Sequence, residues 1–340
     1  MKKVAVILGG MSTENEVSQE SAKSVIKNLN KTKYVVTPIY IDKSGEWYNY
    51  ETKTKIENIT KELKKVDVVF PVLHGLYGED GTIQGMLEML KIPYVGCKVL
   101  ASCIGMDKAY SKIIFEKAGI NQVKYIYAKV INEDNCILVD SNLEEKCINV
   151  DELVAECLNK LEFPMFIKPS NSGSSIGVGK AENREILKQC ILNAAKYDKK
   201  VLIEQGIIGK EVECAVLGNS EIGVEVSRVG EIISAEDFYS YEAKYENPKS
   251  VTNIPASIEE KTASEIQQIA VKAFKSIDGS GLSRVDFFVE DSTQKIYLNE
   301  INTMPGFTNI SMYPKLMEDF GYTYSGLLDK LIEIATTVQS

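Results

Sequence analysis

The arrangement of short apolar runs in the first hundred residues constrains the fold more than any other feature of the sequence. Val4–Leu8 is entirely apolar, as expected for a strand of a parallel sheet that is covered on both faces. The run ends at two glycines, and a stretch with helical character then continues to about Asn28. Two further strand-like runs, YVVTPIYI and Val66–Leu73, come next. This β-α-β order predicts a small open α/β domain that ends near residue 100.

The length and charge of the chain set broad limits on its class. Its 340 residues are too many for one compact core, so two or three domains are expected. The net charge of −9 and the pI near 5.1 disfavour nucleic acid or an anionic membrane as the main partner. No apolar run approaches the roughly 18 residues needed to cross a bilayer. The seven scattered cysteines form no C-x-x-C pair, which disfavours a zinc site or a disulfide framework and favours the reducing cytoplasm.

Patterns further along the chain predict two more domains after the first, which takes residues 1–105. The middle domain, residues 106–200, combines the alternating run VKYIYAKV, an amphipathic helix from Val150 to about Leu161 and the strand FPMFIKP. The third domain, residues 201–340, has a long helix around Ser257–Ile277 and a closing helix. Its predicted strands are VLIEQ, EVECAVLG, IGVEVSRV, LSRVDFFV and KIYLNEIN.

Charged residues inside two apolar strands give the strongest functional signal. The alternation of a strand places Arg284 and Asp286 on one face of LSRVDFFV, and Glu300 and Asn302 on one face of KIYLNEIN. Buried charges must be paired or line a functional cavity, because an unpaired one costs several kcal/mol. The carboxylate and amide oxygens suit Mg²⁺, but an internal arginine–carboxylate network explains the pattern equally well.

Two other segments have features of a nucleotide site. In FIKPSNSGSSIGVGK, Lys168 ends a strand and a loop of serines and glycines follows, which can cradle a phosphate. In VLIEQGIIGKEVECAVLG, Glu204 and Glu211 stand at strand ends, where carboxylates can accept hydrogen bonds from an adenine amino group and from ribose hydroxyls. Taken singly, a flexible surface turn and ordinary exposed glutamates explain these segments as well.

His74 is the only histidine of the chain and follows the apolar run VDVVFPVL. A single histidine at the end of a strand is more often a satisfied structural residue than a functional one. The segment FPVLHGLYGEDG, taken alone, therefore favours a structural role.

Eight segments that occur in one order indicate a family. Along the chain they are GGMSTENEVS, HGLYGEDGTIQGMLE, MDK, IKPSNSGSSIGV, IEQGIIGKE, YEAKY, SRVDFF and NEINTMPGFTNISMYP. Together they resemble the D-alanine–D-alanine ligases of the ATP-grasp superfamily, over essentially the whole chain. The resemblance implies a mixed α/β fold with a three-domain ATP-grasp architecture and an N-terminal open parallel α/β domain.

The resemblance implies an ATP-driven joining of two D-alanine molecules for peptidoglycan precursors, in a cytoplasmic homodimer. The carboxylate of the first D-alanine would attack the γ-phosphate, and the amine of the second would displace phosphate from the resulting acylphosphate. The nearest alternative is a ligase of the vancomycin-resistance type, which joins D-alanine to D-serine or D-lactate. A non-catalytic nucleotide-binding module is disfavoured, because binding alone does not require the four charged and amide residues of the two late strands.

The resemblance also implies, position by position, which residues bind the nucleotide and the metal. The nucleotide would lie between the middle and third domains, in contact with Lys108, Lys168, Ser175, Glu204, Glu211 and the backbone of Ile207. Two Mg²⁺ ions, for which Mn²⁺ could substitute, would be bound by Asp286, Glu300 and Asn302.

A second set of residues would hold the substrates. The first D-alanine would face His74 and place its ammonium on Glu14, which is linked to Ser174 and Tyr245. Arg284 and the backbone N–H of Gly306 would stabilise the oxyanion, and Glu79 would orient its neighbours. Lys244 and Ser311 would hold the second carboxylate, Met312 would favour D-alanine over D-serine there, and residues 238–248 would form a mobile loop over the site.

Overall fold

The computed structural model describes residues 1–233 and 251–337 of the chain. The predicted loop at 238–248, with Lys244 and Tyr245, lies outside these described residues. Within them, no helix is both long and apolar enough to span a membrane.

The N-terminal part contains a four-stranded sheet in the order β3-β2-β1-β4. Its strands are β1 (Lys2–Gly9), β2 (Tyr34–Ile41), β3 (Trp47–Asn49) and β4 (Val68–Pro71). Its helices are α1 (Asn15–Asn28), α2 (Ile59–Leu63), α3 (Thr82–Leu90) and α4 (Val99–Met106). Strand β1 pairs in parallel with β2 and β4, and its apolar run Val4–Leu8 is fully buried. The short edge strand β3 is antiparallel to β2, which the apolar pattern did not indicate.

The middle part contains an antiparallel six-stranded sheet in the order β7-β6-β5-β10-β8-β9. Its strands are β5 (Tyr125–Asn132), β6 (Asn135–Val139), β7 (Glu145–Ile148), β8 (Met165–Pro169), β9 (Gly179–Ala181) and β10 (Lys200–Gln205). Its helices are α5 (Lys108–Lys117), α6 (Val150–Lys160) and α7 (Arg184–Ala194). Helix α6 begins where predicted, because Asn149 and Glu152 form a reciprocal capping box.

The third part contains an antiparallel five-stranded sheet in the order β13-β12-β11-β14-β15. Its strands are β11 (Gly209–Asn219), β12 (Gly223–Ile233), β13 (Val251–Asn253), β14 (Gly281–Glu290) and β15 (Ile296–Asn302). The described helices here are α8 (Glu260–Ser276), α9 (Met312–Phe320) and α10 (Tyr324–Thr337). Strand β10 belongs to the middle sheet, so the chain passes to the third sheet after residue 205, beyond the predicted limit at 200. The domain limits themselves stay a prediction.

The last helix joins the first and third parts into one core. Leu327, Leu328, Leu331 and Ile332 of α10 are almost fully buried, in one apolar cluster with residues of β1, β4 and β14. This packing holds β4 and the first residues of β14 against the same helix. The mixed α/β fold predicted from the sequence is confirmed.

Candidate active site

One cavity lies where the three sheets meet, and the residues predicted for the site gather around it. Fifteen of them line it: Glu14, His74, Lys108, Lys168, Ser174, Ser175, Glu204, Ile207, Glu211, Arg284, Glu300, Asn302, Gly306, Ser311 and Met312. Glu79 lines it as well. Asp286 pairs instead with Arg284, and Lys244 and Tyr245 fall outside the described residues.

The pairing of β14 with β15 brings the late-strand residues together. Asp286 stands opposite Glu300 and Arg284 opposite Asn302, next to an irregularity in the ladder after Asp286. Arg284 donates two hydrogen bonds to Asp286, from Nε to Oδ1 at 2.8 Å and from Nη2 to Oδ2 at 2.7 Å. Asn302 Nδ2 donates to Asp286 Oδ2 at 3.0 Å. The arginine–carboxylate network that the sequence left open is therefore present.

Glu213 is a second buried carboxylate beside Arg284 that the sequence reasoning missed. Its Oε2 lies 3.1 Å from Arg284 Nε, and the residue is 5% exposed. Burial acts against the charge of Arg284, but Asp286 and Glu213 outweigh it and hold the arginine's pKa well above its ordinary value. Strand alternation places Glu211 and Glu213 on one face of β11, which was the available signal.

The donor set of the two strands fits Mg²⁺ in chemistry. Asp286 and Glu300 offer carboxylate oxygens and Asn302 an amide oxygen, all hard ligands that Mg²⁺ prefers. Among the described residues, no group of three or more His, Cys, Asp or Glu side chains could hold a metal ion. The set predicted from the sequence consists of two carboxylates and an amide. Because Asp286 is engaged by Arg284, its oxygens must be shared or released to bind a cation. Glu213 would then remain as a buried partner for the guanidinium.

The lysines predicted to bind phosphates both point to this cavity. Lys108 Nζ donates to the carbonyl of Ser172 at 2.8 Å and lies 3.4 Å from Glu300 Oε2. Lys168 Nζ lies 2.6 Å from Glu204 Oε2 and donates to Asn299 Oδ1 at 3.2 Å. Each lysine has a carboxylate beside it, Glu300 for Lys108 and Glu204 for Lys168, and a phosphate can take the place of that carboxylate.

Glu204 has a second cation partner that the sequence reasoning missed. Lys112 Nζ lies 2.7 Å from Glu204 Oε1, and the lysine side chain is 2% exposed. Burial alone would raise the pKa of Glu204, but Lys112 and Lys168 lower it to about 2. Lys112 follows Lys108 by four residues, so both lie on one face of α5, which was the only signal in the sequence.

Glu14 lies between the backbones of two glycines. A Cβ atom at Gly75, where φ is +71°, or at Gly173 would collide with Glu14 Oε2, so a side chain at either position would displace this carboxylate. Ser174 donates a hydrogen bond to Glu14 Oε1. Ser174 and Ser175 both have positive φ, a conformation that costs about 1–2 kcal/mol for a residue with a Cβ. The contact with Glu14 helps to hold the serine loop in this shape.

His74 is buried, and both of its ring nitrogens have partners in the protein. Nδ1 lies 3.2 Å from the Met304 carbonyl, which can only accept, so Nδ1 carries the proton. Nε2 then accepts from Ser21 Oγ at 2.9 Å, and Ser21 Oγ itself accepts from Phe307 N at 3.2 Å. Burial lowers the pKa of His74 despite the opposing charge of Glu14. Burial therefore favours the neutral ring. A hydrogen bond from this imidazole to a substrate would have to replace the contact with Met304 or the contact with Ser21. The substrate role of His74 stays a prediction.

Glu79 accepts two backbone hydrogen bonds across the cavity wall, from Gly75 N to Oε1 at 2.9 Å and from Met304 N to Oε2 at 3.3 Å. It thus connects the turn after β4 to the loop before α9. Burial, together with the charge of Glu14, raises the pKa of Glu79 to about 8.

This raised pKa predicts a pH-dependent stability. Between about 4.5 and 8 the folded protein keeps a proton that the unfolded chain releases, so the free energy of unfolding falls as pH rises through this window. The slope is at most about 1.4 kcal/mol per pH unit. Glu79→Gln should lack this component, so the variant should gain stability relative to the wild type between pH 5.5 and 8. Urea unfolding at half-unit pH steps measures this, and a constant difference across the window would contradict it.

The loop that enters α9 carries the remaining predicted residues. Thr308 N donates to Ser311 Oγ at 3.0 Å, and a Cβ on Gly306 would stand 2.8 Å from that oxygen. Met312 is 5% exposed and packs near Gly230 of β12 while it also lines the cavity. On the far side, Ile207 and Glu211 line the cavity where the chain passes from β10 to β11.

Comparisons with known proteins cover the whole chain. A family model described as "D-ala D-ala ligase N-terminus" matches residues 3–97, and one described as "D-ala D-ala ligase C-terminus" matches residues 114–333. A D-alanine–D-alanine ligase of Acetivibrio thermocellus is 46% identical over 374 residues, which cover 98% of this chain and 96% of that relative.

Two solved structures are similar to the chain over nearly its full length. The VanG D-Ala:D-Ser ligase from Enterococcus faecalis has a TM-score of 0.83 and 39% identity, and the match covers 98% of this chain and 99% of that one. A D-alanine–D-alanine ligase from Bacillus anthracis complexed with ATP has a TM-score of 0.78 and 29% identity, with 100% of this chain and 99% of that one covered.

Proposed function

The chain belongs to the D-alanine–D-alanine ligase family, and we propose that its cavity binds ATP and joins two D-alanine molecules through a D-alanyl phosphate for peptidoglycan precursors. The main observation in support of this function is that one cavity is lined by the Glu14 carboxylate, by two lysines, and by Arg284 of β14 and Glu300 of β15. Such an arrangement can position an amino acid carboxylate in line with a phosphoryl group.

The two ends of the cavity have separate roles in this reaction. Lys108 and Lys168 neutralise the ATP phosphates, the Ser175 loop covers them, and Glu204, Ile207 and Glu211 hold the adenosine. Glu14 binds the ammonium of the first D-alanine, supported by the hydrogen bond from Ser174. Arg284 and the N–H of Gly306 face the oxyanion that forms when the second amine attacks. Ser311 binds the carboxylate of the second D-alanine.

Asp286, Glu300 and Asn302 would hold the Mg²⁺ ions. When bound, these ions neutralise charge on the transferred phosphoryl group. The chain itself supports such a site with oxygen donors on adjacent strands, because Asp286 stands opposite Glu300 and Asn302 follows two residues later on the same strand as Glu300. We propose further that Lys244 and Tyr245, which lie outside the described residues, contribute to substrate binding, and that the protein is a cytoplasmic homodimer. Light scattering of the purified protein tests the dimer.

A phosphate-release assay tests the function directly. The enzyme is incubated with ATP and Mg²⁺ and with D-alanine, D-serine, D-lactate or the L-isomers of the two amino acids. We expect phosphate release with D-alanine alone, because it can fill both substrate positions, and none with the L-isomers. Release that requires a different acid and amine would contradict the proposal.

A second candidate, D-alanine–D-serine ligation, is favoured by one observation, the 39% identity to the VanG structure. Met312 argues for D-alanine, because a buried apolar side chain offers no partner to a serine hydroxyl. Such a pocket rejects an added hydroxyl by about 10²-fold at best.

We expect Met312→Arg to move the product ratio toward D-alanyl-D-serine by roughly 10-fold or more, because the guanidinium gives the hydroxyl a partner. Mass spectrometry of the products at equal D-alanine and D-serine concentrations measures the ratio. Met312→Leu is the matched control and should keep the wild-type ratio, and the melting temperatures of both variants report folding. A wild-type enzyme that makes mostly D-alanyl-D-serine would establish the second candidate.

A further inference from the structure

Lys168 and Glu204, which both have proposed roles in ATP binding, are paired with each other in the structure. Glu204 Oε1 is paired with Lys112 and Oε2 with Lys168, at 2.7 Å and 2.6 Å. An adenine amino group needs one of these oxygens as an acceptor, and an ATP phosphate needs the Lys168 ammonium. ATP would therefore compete with the Lys168–Glu204 ion pair for the same carboxylate oxygen and the same ammonium.

Opening this pair would leave a buried carboxylate with one remaining cation. Glu204 is only 3% exposed, so its charge persists there only if a partner stays beside it. A protonated Glu204 would carry a hydroxyl in place of one carboxylate oxygen and would be a weaker acceptor. Without Lys112, the charge of Glu204 would depend on Lys168 alone, which would keep that ammonium away from the phosphates. The contact of Glu204 with adenine and the contact of Lys168 with phosphate thus both depend on the partner of Glu204 Oε1.

Lys112 is placed to be that permanent partner. Its side chain is 2% exposed on α5, and its ammonium also lies 5.1 Å from the ring centre of Tyr125. The described cavity lining includes Lys168 and Glu204 but not Lys112, so this lysine reaches the nucleotide only through Glu204. Burial lowers the pKa of Lys112, but the charge of Glu204 opposes this effect.

We propose that Lys112 is a positioning residue for ATP, which holds Glu204 as a charged adenine acceptor and so frees Lys168 to exchange Glu204 for a phosphate. The inference rests on the proposed ATP site of this family member and adds a residue that does not touch the nucleotide. Helix α5 would then have two different functions one turn apart. Lys108 would face the ATP phosphates, and Lys112 would hold the Glu204 carboxylate that accepts from the adenine.

The test separates the KM for ATP from the other kinetic constants. Lys112→Met should raise the KM for ATP by about 10-fold or more, with the KM for D-alanine and the kcat at saturating ATP within about threefold of wild type. Lys112→Arg keeps the positive charge and should recover part of the loss. Lys117→Met, an exposed lysine on the same helix, is the matched control and should behave as wild type.

A double variant shows whether Lys112 acts through Glu204. In Glu204→Gln, adding Lys112→Met should change the KM for ATP by less than threefold, because the carboxylate that Lys112 holds is already absent. Preference for ATP over purine riboside triphosphate, which lacks the 6-amino group, should fall alike in Lys112→Met and Glu204→Gln.

Three outcomes would overturn the inference. They are a wild-type KM for ATP in Lys112→Met, losses that multiply in the double variant, or equal losses for both substrates with a lower melting temperature. Calorimetric titration with a non-hydrolysable ATP analogue tests the role of Lys112 separately from the proposed function. A wild-type protein that binds the analogue but does not ligate D-alanine contradicts the function alone, whereas wild-type affinity in Lys112→Met contradicts the inference alone.

Discussion

Glu300→Gln is expected to lower turnover by about 10²–10³-fold while the protein stays folded. Glu300 lines the cavity on β15, opposite Asp286 and 3.4 Å from Lys108 Nζ. Glutamine keeps the size of the side chain but removes the charge that a metal ion and the phosphoryl-binding lysine both require. Phosphate release measured over a range of Mg²⁺ concentrations should therefore show both a lower maximum and a higher Mg²⁺ requirement.

Asp291→Asn, an exposed carboxylate in the turn between β14 and β15, is the matched control for this prediction. It changes the same charge on the same hairpin and should leave turnover and the Mg²⁺ requirement unchanged. Wild-type activity of Glu300→Gln at limiting Mg²⁺ would refute the assignment of Glu300 to the metal.

The second large effect is expected at Glu14. Glu14→Gln should lower kcat/KM for D-alanine by roughly 10²–10³-fold, because removing one partner of a buried ion pair costs about 2–5 kcal/mol. The carboxylate is 6% exposed and is enclosed by the backbones of Gly75 and Gly173, so water cannot easily replace it. Steady-state kinetics at saturating ATP, with D-alanine varied, measure the loss.

Ser174→Ala is the comparison for Glu14. It removes a hydroxyl that donates to the carboxylate but leaves the charge, so we expect a smaller loss of about 10-fold. The KM for ATP should change little in either variant. If Glu14→Gln used D-alanine as well as the wild type does, the ammonium of the first substrate would have to bind elsewhere.

Much of the fold could be predicted because strands and helices have local signatures. The apolar run Val4–Leu8 and the capping box before α6 specify their elements from neighbouring residues alone. The short strands β3, β7, β9 and β13 could not be found in this way. Each has three or four residues and is a strand because a longer partner lies beside it.

The candidate site could likewise be predicted only in part. Alternation along β14 placed Arg284 and Asp286 on one face, but it could not decide between a metal site and an internal ion pair. The structure has the ion pair, with Glu213 as its third member, and the metal role stays a proposal. For His74, the hydrogen bonds to Met304 and Ser21 determine the tautomer, and these partners lie 230 and 53 residues away in the chain.

By itself, the sequence determined most of the longer strands and helices, the family and most of the residues that gather around one cavity, because periodicity and motif spacing are local properties of the chain. Only the tertiary structure decided which charges are neighbours. Lys112 carries no mark in the sequence beyond its four-residue distance from Lys108, and its partner Glu204 is 92 positions further along. The two meet because α5 packs against β10, and in that buried contact a charge without its partner would be costly.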